Sequence, residues 1–534
     1  MEYENIKLIL KDKLSYKWSA AKEVYVRGYA FNGETLLIGK DLIEYFEGII
    51  SEKDFAARLS CLEGIYNIIV ITPSGTFACV DQVRSMPLFY DMDFDDSGKV
   101  TLLDAIDETV ATTKEIEQDV LKVFRYALFT LDDKTIFKNV YEIKAGHYLR
   151  ISHCGVEQIS YVFWYYAEKR IRNLENAVSQ LHINYLATFQ RVIRVLDHRT
   201  AVIPLSGGHD SRMIGFYLKA LGYEKIIAYS YGFQNNNEEA KYSKMSADVL
   251  GIPWYFVPYN AKEMHRLFRQ EGFHFLIDAG NGVSVPCLQE WYAIYKLCKD
   301  KYLPGDSVIL PGYSGDFLAG SHLLQQANGQ KSINSKEIVD YFMRYHFSNR
   351  KAQSVEMDAN LRETICLAVP ALKSSQKDFF PDEANFLSES FDLVHRQAKF
   401  IVNAVRVYDY FGYQWMIPYF ERSQFDVWAQ IDNCLRYNRK AFFALEQHIY
   451  PESLKKISFA GETRHTFFAR VRALLRRLRP AHFMYGYYAL GIQYYIQYYH
   501  QKLENVDCLA QDAYLSCLAD CREESEQKSD EKKR

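Results

Sequence analysis

The stretch Ser206-Gly207-Gly208-His209-Asp210-Ser211 holds the residue types and spacing best suited to chemistry in this chain. Two adjacent glycines remove two Cβ atoms and let a ligand approach the backbone. The first N–H groups of a helix have no partner of their own, so a glycine turn before a helix is an anion site. The helix dipole adds roughly half a positive charge at that end. Ser206 and Ser211 can offer hydroxyls to phosphate oxygens. Asp210 has the wrong charge for a naked anion, but a carboxylate beside a phosphate cradle suits Mg²⁺ held between the two. The plainer reading makes Ser206 and Asp210 turn and cap residues only.

The surrounding pattern supplies what such a turn needs. Residues 201–205, ending in Leu205, form a short apolar run of the kind found in buried parallel strands. Residues 210–220 have helical spacing, with Met213, Ile214, Tyr217 and Leu218 on one side and Leu221-Gly222 as a stop. A strand over 225–231, a helix over 238–250 and a strand from Pro253 to Val257 follow. That alternation predicts a doubly wound parallel sheet, with ligands at the carboxyl ends of its strands. A second glycine turn, in SVILPGYSGDFLAG (307–320), ends an apolar strand and delivers a second carboxylate, Asp316. Asp210 and Asp316 together could hold Mg²⁺ ions on a triphosphate.

The first loop lacks the GxxxxGK[ST] spacing of a Walker A motif. SGGHDS instead resembles the SGGxDS pyrophosphate loop of ATP pyrophosphatases, and within that group the chain resembles the asparagine synthetase and β-lactam synthetase family. The resemblance implies an adenine nucleotide alpha hydrolase-like fold that binds ATP and Mg²⁺. It assigns nucleotide contact to Leu205, Ser206, Gly207, Gly208, Asp210 and Ser211, to Ser230 and Gly232 at the end of the next strand, and to Gly312, Ser314 and Gly315. The metal falls to Asp210 and Asp316. The second loop is similar to the family's SGxGSD segment, with Tyr313 and Phe317 where acidic residues are usual and Ser314-Gly315 inverted. FDLVHRQAKFIVNAVRVYDYFGYQWMIPYFERSQFD (391–426) resembles a helical region of the family, placing Arg406, Pro418 and Glu421. Glu421 is read as substrate-facing or as a helix cap. The family also uses a lysine to stabilise the pentacoordinate phosphorus and leaving pyrophosphate. In PESLKKISFAG the candidates are Lys455 and Lys456, and Lys456 is taken as catalytic.

Residues 1–165 read differently. Short β-like runs at 23–29, 34–39, 65–72, 76–80, 87–90, 99–103 and 147–151 are punctuated by turns such as Asn32-Gly33 and Pro73-Ser74-Gly75, with helices near 54–62 and 115–128. This is an α+β pattern. LEGIYNIIVITPSGTFACVDQVRSMPLFY resembles the class II glutamine amidotransferase domain that precedes the synthetase domain in this family, with Gly64, Asp81, Arg84, Pro87 and Leu88 in place. TIFKNVYEIKAGHYLRI (135–151) resembles the stretch that closes it. The implied fold is an Ntn-hydrolase-like αββα sandwich. Active members expose a Cys at the mature N-terminus as nucleophile and base. Residue 2 is Glu, and neither Cys61 nor Cys79 can carry a free α-amine. The domain is therefore expected to be a degenerate relic, and glutamine not to be the nitrogen donor.

The remaining features bound the function. The chain has 534 residues, a net charge of −3 and 48% hydrophobic residues, so it is a multidomain globular protein with no field favouring nucleic acid. Ten scattered cysteines without a CxxC pair point away from zinc or iron–sulfur sites and toward reduced thiols in a cytoplasm. The expected organisation is a glutaminase-like domain at 1–165, an ATP-pyrophosphatase domain at 166–460 and a helical, basic, tyrosine-rich tail at 461–534 with a disordered end. That tail suits packing on the synthetase domain better than contact with a membrane surface. A homodimer is compatible with the sequence. The expected function is an AMP-forming amide ligase joining a small-molecule or peptide carboxylate to an amine or ammonia, the alternative being an idle family member acting as scaffold or regulator.

Overall fold

A computed structural model describes residues 6–93, 99–162, 167, 170–232, 238–347, 355–374, 377–459 and 510–522. In the first region two sheets lie face to face. One has four strands in the order Ile6–Ile9, Val100–Leu103, Phe89–Asp91, Val140–Glu142. The other has seven and is antiparallel throughout, centred on Leu62–Thr72, Val24–Asn32 and Gly75–Val80. Side chains alternate across each strand. Ile69 thus faces Leu8 and Leu102 of the smaller sheet and Leu88 just before it, while its neighbours Ile68 and Val70 face helices Lys40–Phe46 and Glu52–Ser60 through Leu42, Phe46 and Phe55. On the outer side of the smaller sheet, helix Gln118–Ala127 buries Leu121 and Phe124 with Phe89, Leu103 and Val140.

Several strands here begin or end elsewhere than the sequence pattern predicts, and four escape it: Ile6–Ile9, Ser19–Ala21, Val140–Glu142 and Gly155–Ser160. Two of these have only three residues, and Gly155–Ser160 is mostly polar, so period-2 patterning had little to act on.

The second region is built on a five-stranded, wholly parallel sheet ordered Trp254–Pro258, Ile226–Gly232, Ala201–Pro204, Val308–Ile309, Gln414–Trp415. This mixed α/β arrangement agrees with the expected parallel-sheet domain. Helices Asp210–Ala220 and Glu238–Leu250 occupy the predicted positions. The 23-residue helix Leu174–Leu196 leads into the first central strand and buries Leu181, Tyr185, Phe189 and Val192. The strand Gln414–Trp415 was not anticipated, because two residues carry no period.

The two regions interlock through buried polar contacts. Gln82 donates to the Phe420 carbonyl at 2.5 Å, Arg406 to the Ser85 carbonyl at 2.7 Å and Tyr16 to the Trp415 carbonyl at 2.7 Å. Lys399 reaches Glu142 at 2.5 Å, and Glu142 also takes Arg84 at 2.5 Å, all three side chains being buried. From the tail, residues 510–522 form a helix. Its Tyr514 accepts the Gly282 N–H at 2.9 Å, and Gln511 donates to the Phe124 carbonyl at 2.6 Å. The basic and tyrosine-rich stretch 461–509 lies outside the described residues. The expected boundary at 165/166 falls between described segments as well.

Candidate active site

The first loop leaves the carboxyl end of the buried strand Ala201–Pro204 and enters helix Asp210–Ala220 without a side-chain cap bond. Its turn is pinned by its own serines. Ser211 Oγ accepts the Ser206 N–H at 3.1 Å and lies 3.1 Å from Ser206 Oγ, which accepts the Gly208 N–H at 3.2 Å. Tyr419 donates to the Asp210 carbonyl at 2.7 Å.

The second loop closes on the first. Asp210 Oδ2 accepts the backbone N–H of Asp316 at 3.0 Å, while Asp210 Oδ1 is buried without a hydrogen-bond partner. The contact depends on missing Cβ atoms: one added at Gly312 would lie 2.7 Å from Ser211 N, and one at Gly315 would lie 2.7 Å from Asp210 Cγ. Ser314, between them, takes a left-handed φ of 67° and donates to Gln397 Oε1 at 2.5 Å. Asp316 accepts the Ser321 hydroxyl at 3.0 Å. Burial, and then the neighbouring Asp316, push the Asp210 carboxyl well above the usual carboxylate range.

Two loops at the ends of adjacent parallel strands, a phosphate-type turn on one and paired carboxylates between them, are the parts an ATP-cleaving site requires. Residues 193–419 match the family model described as Asparagine synthase. That span holds both loops and all five strands of the parallel sheet. Residues 193–419 form a domain of the asparagine synthetase-like family. No curated protein matches the chain.

The asparagine synthase domain has a donor set that fits Mg²⁺. An orphaned, buried Asp210 oxygen beside Asp316 is what two carboxylates awaiting a cation look like. No group of three or more His, Cys, Asp or Glu side chains suited to a metal occurs among the described residues. The pair would thus need oxygens from the nucleotide to complete a coordination shell, the usual situation for Mg²⁺ on a phosphate.

Other predicted residues sit differently. Ser230 is buried, donates to the Leu205 carbonyl at 2.6 Å and shares a hydrogen bond with Ser243, so its hydroxyl ties two strands and a helix together. Gly232 ends its strand at φ 151°. Glu421 is not brought to the loops. Its carboxylate is held by Arg191 at 2.6 Å, beside Glu63, and its side chain makes no cap bond to the helix it precedes. Burial still pushes it up to about 8. Lys455 pairs with Glu452 at 2.9 Å, and Lys456 is exposed just beyond helix Glu452–Lys455.

The segment after Lys456 does reach the first loop, by its backbone. Buried Arg212 donates to the carbonyls of Ile457 and Ser458 at 3.1 Å each. Phe459 stacks on His209 with ring centroids 3.4 Å apart, and His209 Nδ1 contacts Glu446 at 2.8 Å.

Three further groups escaped the sequence reading. Arg439, left-handed at φ 57° and over the Phe443 ring at 4.7 Å, is close enough for its charge to favour ionised Asp210. Glu290 is buried and accepts the hydroxyls of Tyr408 at 2.8 Å, Tyr313 at 3.5 Å and Tyr229. His322 bonds Asp392 behind the second loop. None lies in a motif with fixed spacing, and only the fold brings their distant segments together.

Proposed function

We propose that the protein is an AMP-forming amide ligase that activates a substrate carboxylate with ATP and transfers the acyl group to an amine or ammonia. The asparagine synthase domain supports an ATP-dependent amide ligase in general. The observation that carries the finer reading is the Asp210–Asp316 pairing across two glycine loops at the carboxyl ends of neighbouring strands. The triphosphate would lie along the Ser206–Ser211 turn, where the N–H groups of Ser206 and Gly208 and the two hydroxyls exchange their bonds to each other for bonds to phosphate oxygens. Mg²⁺ held by Asp210 and Asp316 would offset phosphate charge. A substrate carboxylate oxygen attacks the α-phosphorus and pyrophosphate leaves. The amine nitrogen then attacks the acyl carbon, loses its proton and displaces AMP. Packing of Ile457–Phe459 against Arg212 and His209 shields one side of the loop, which would limit hydrolysis of the activated acid.

In this reading residues 1–165 are a glutaminase-like Ntn-type sandwich that has lost its activity, followed by the ligase domain at 166–460 and the tail at 461–534. Cys79 is buried with its thiol pushed well up by burial, which suits a packing residue rather than a nucleophile. The nitrogen donor is then an amine or ammonia. No helix among the described residues is long and apolar enough to cross a membrane, and a cytoplasmic setting agrees with the free thiols. One observation favours a second reading, an idle scaffold: the lysine expected at the phosphates, Lys456, points to solvent.

Incubation with α-labelled ATP, Mg²⁺ and paired libraries of carboxylic acids and amines separates the two. The ligase releases AMP and forms an amide with at least one pair. ATP binding with no AMP from any pair would contradict it.

A further inference from the structure

The second loop is gripped from behind by an uncommon element. Asp392–Ile401 is a ten-residue π-helix. Such turns are rare, mostly single, and concentrate at functional sites. Its first residue, Asp392, is buried and takes His322 Nδ1 on Oδ2, the same oxygen that receives Gln397 Nε2 at 3.4 Å. Gln397 Oε1 accepts the Ser314 hydroxyl at 2.5 Å. Ser314 and His322 bracket Asp316 in sequence, so this one helix fixes the loop on both sides of its carboxylate.

Arg396 lies on the same π-helix, between Asp392 and Gln397. It is half-buried, and among the described residues no carboxylate forms an ion pair with it. Its guanidinium stands 5.9 Å from the ring centroid of Tyr345, which is 40% exposed. The Tyr345 ring is in turn 5.2 Å from that of His322, and Phe317 meets His322 from another direction at 5.4 Å. Asp316 and Arg396 both act on the charge of His322. The His322–Asp392 pair cancels to no net charge when His322 is protonated, and Asp316 is assigned to the metal. Among the described residues, Arg396 is then a charge without an ion-pair partner of its own at a partly exposed corner near the second loop, with Asp392 already taken by His322. A guanidinium is planar and offers a fork of donors, the geometry that takes a carboxylate or phosphate by two bonds.

We propose that Arg396, His322 and Tyr345 form a subsite for an oxyanion carried by the substrate, a carboxylate or phosphate group separate from the carboxyl that is activated. The role in substrate selection rests on the ligase reading, whereas the anion binding itself does not. Arg396 supplies the charge, and His322, whose Nδ1 is held by Asp392, would offer Nε2 as a second polar contact. Tyr345 covers the corner.

The test is a ligand-detected NMR titration of the full chain with succinate and with phosphoethanolamine, each with and without ATP and Mg²⁺. At least one probe should bind in the millimolar range and weaken about tenfold or more in Arg396→Gln, with Arg396→Lys recovering part of the loss. Nucleotide binding and melting temperature should stay as in the wild type. Binding of succinate alone assigns a second carboxylate to the substrate, and of phosphoethanolamine alone a phosphate. If Arg396→Gln does not fold, Tyr345→Ala, at an exposed position, serves instead, with a smaller loss expected. The inference fails if neither probe binds, or if binding is indifferent to Arg396→Gln and Tyr345→Ala. Failure of ATP to bind the wild type would refute the ligase reading and leave this measurement standing.

Discussion

The two places where the sequence resembles a catalytic site differ in how their polar atoms are satisfied. In the first region, Asp81 accepts N–H groups from Val83 and Ser85 at 3.1 Å each and from Tyr66 at 3.3 Å. Asn67 donates to the carbonyls of Tyr66 and Met86 and accepts Arg27 Nε at 2.6 Å. Arg27 continues to Asp104 and the Pro87 carbonyl. This is a closed network whose members serve one another. At the two glycine loops, by contrast, a buried Asp210 oxygen has no partner, and the serine hydroxyls bond mainly within the turn. A buried polar atom without a partner costs about 1–3 kcal/mol, and at Asp210 it lies beside a second carboxylate between two glycine loops, where a cation would satisfy both.

The sharpest way to break this contrast is to fill the gap between the loops. Gly315→Ala puts a methyl group 2.7 Å from Asp210 Cγ and within 3.0 Å of both its carboxylate oxygens, so the carboxylate must be pushed off the position from which it would hold the metal. ATP·Mg²⁺ affinity should fall at least about a hundredfold, roughly 3 kcal/mol, with circular dichroism unchanged. The matching change in the closed network, Asn67→Ala, should do the reverse. It leaves Arg27 Nε without its acceptor and lowers stability by about 1–3 kcal/mol, read as a fall in melting temperature, without altering nucleotide affinity.

Between the regions, Lys399→Met removes the partner of buried Glu142 and leaves Arg84 as its sole neutraliser. Breaking a buried pair from one side costs about 3–5 kcal/mol, and the first region should then melt separately from the second in calorimetry.

Acid should also act on the second region. Burial lowers His346 from 6.5 to about 4. The unfolded chain binds that proton first, so the stability contributed by neutral His346 is complete above pH 6.5 and is lost as pH falls toward 4. The loss approaches about 3 kcal/mol. His346→Phe, set among Phe129, Phe342 and Phe391, should flatten the melting curve over that window. The smallest effect is expected for Cys61→Ala. Cys61 is exposed, and its removal should leave stability and nucleotide affinity within about 0.5 kcal/mol of wild type.

The first loop was legible because its features are local. A strand, two glycines, a capless helix start and two serines lie within a dozen residues, and helix Asp210–Ala220 matches its pattern end to end. Asp316 was legible for the same reason. Glu421 was not, because the resemblance of its segment does not reveal Arg191, 230 residues away, which holds it. Nor did any periodicity announce the π-helix, whose composition is that of an ordinary amphipathic helix. Lys456 shows the limit of motif spacing. The segment reaches the loop through the Ile457 and Ser458 carbonyls on Arg212, not through a lysine side chain. In the first region, strands with clear alternation were readable and those of three residues were not.

The most direct test of the central claim is calorimetric titration of the full chain with ATP and Mg²⁺, compared with Asp210→Asn. The account predicts micromolar binding, about −8 kcal/mol, that requires Mg²⁺ and weakens at least tenfold in the variant. Binding that is absent from the wild type, or that is indifferent to both Mg²⁺ and Asp210→Asn, would contradict it.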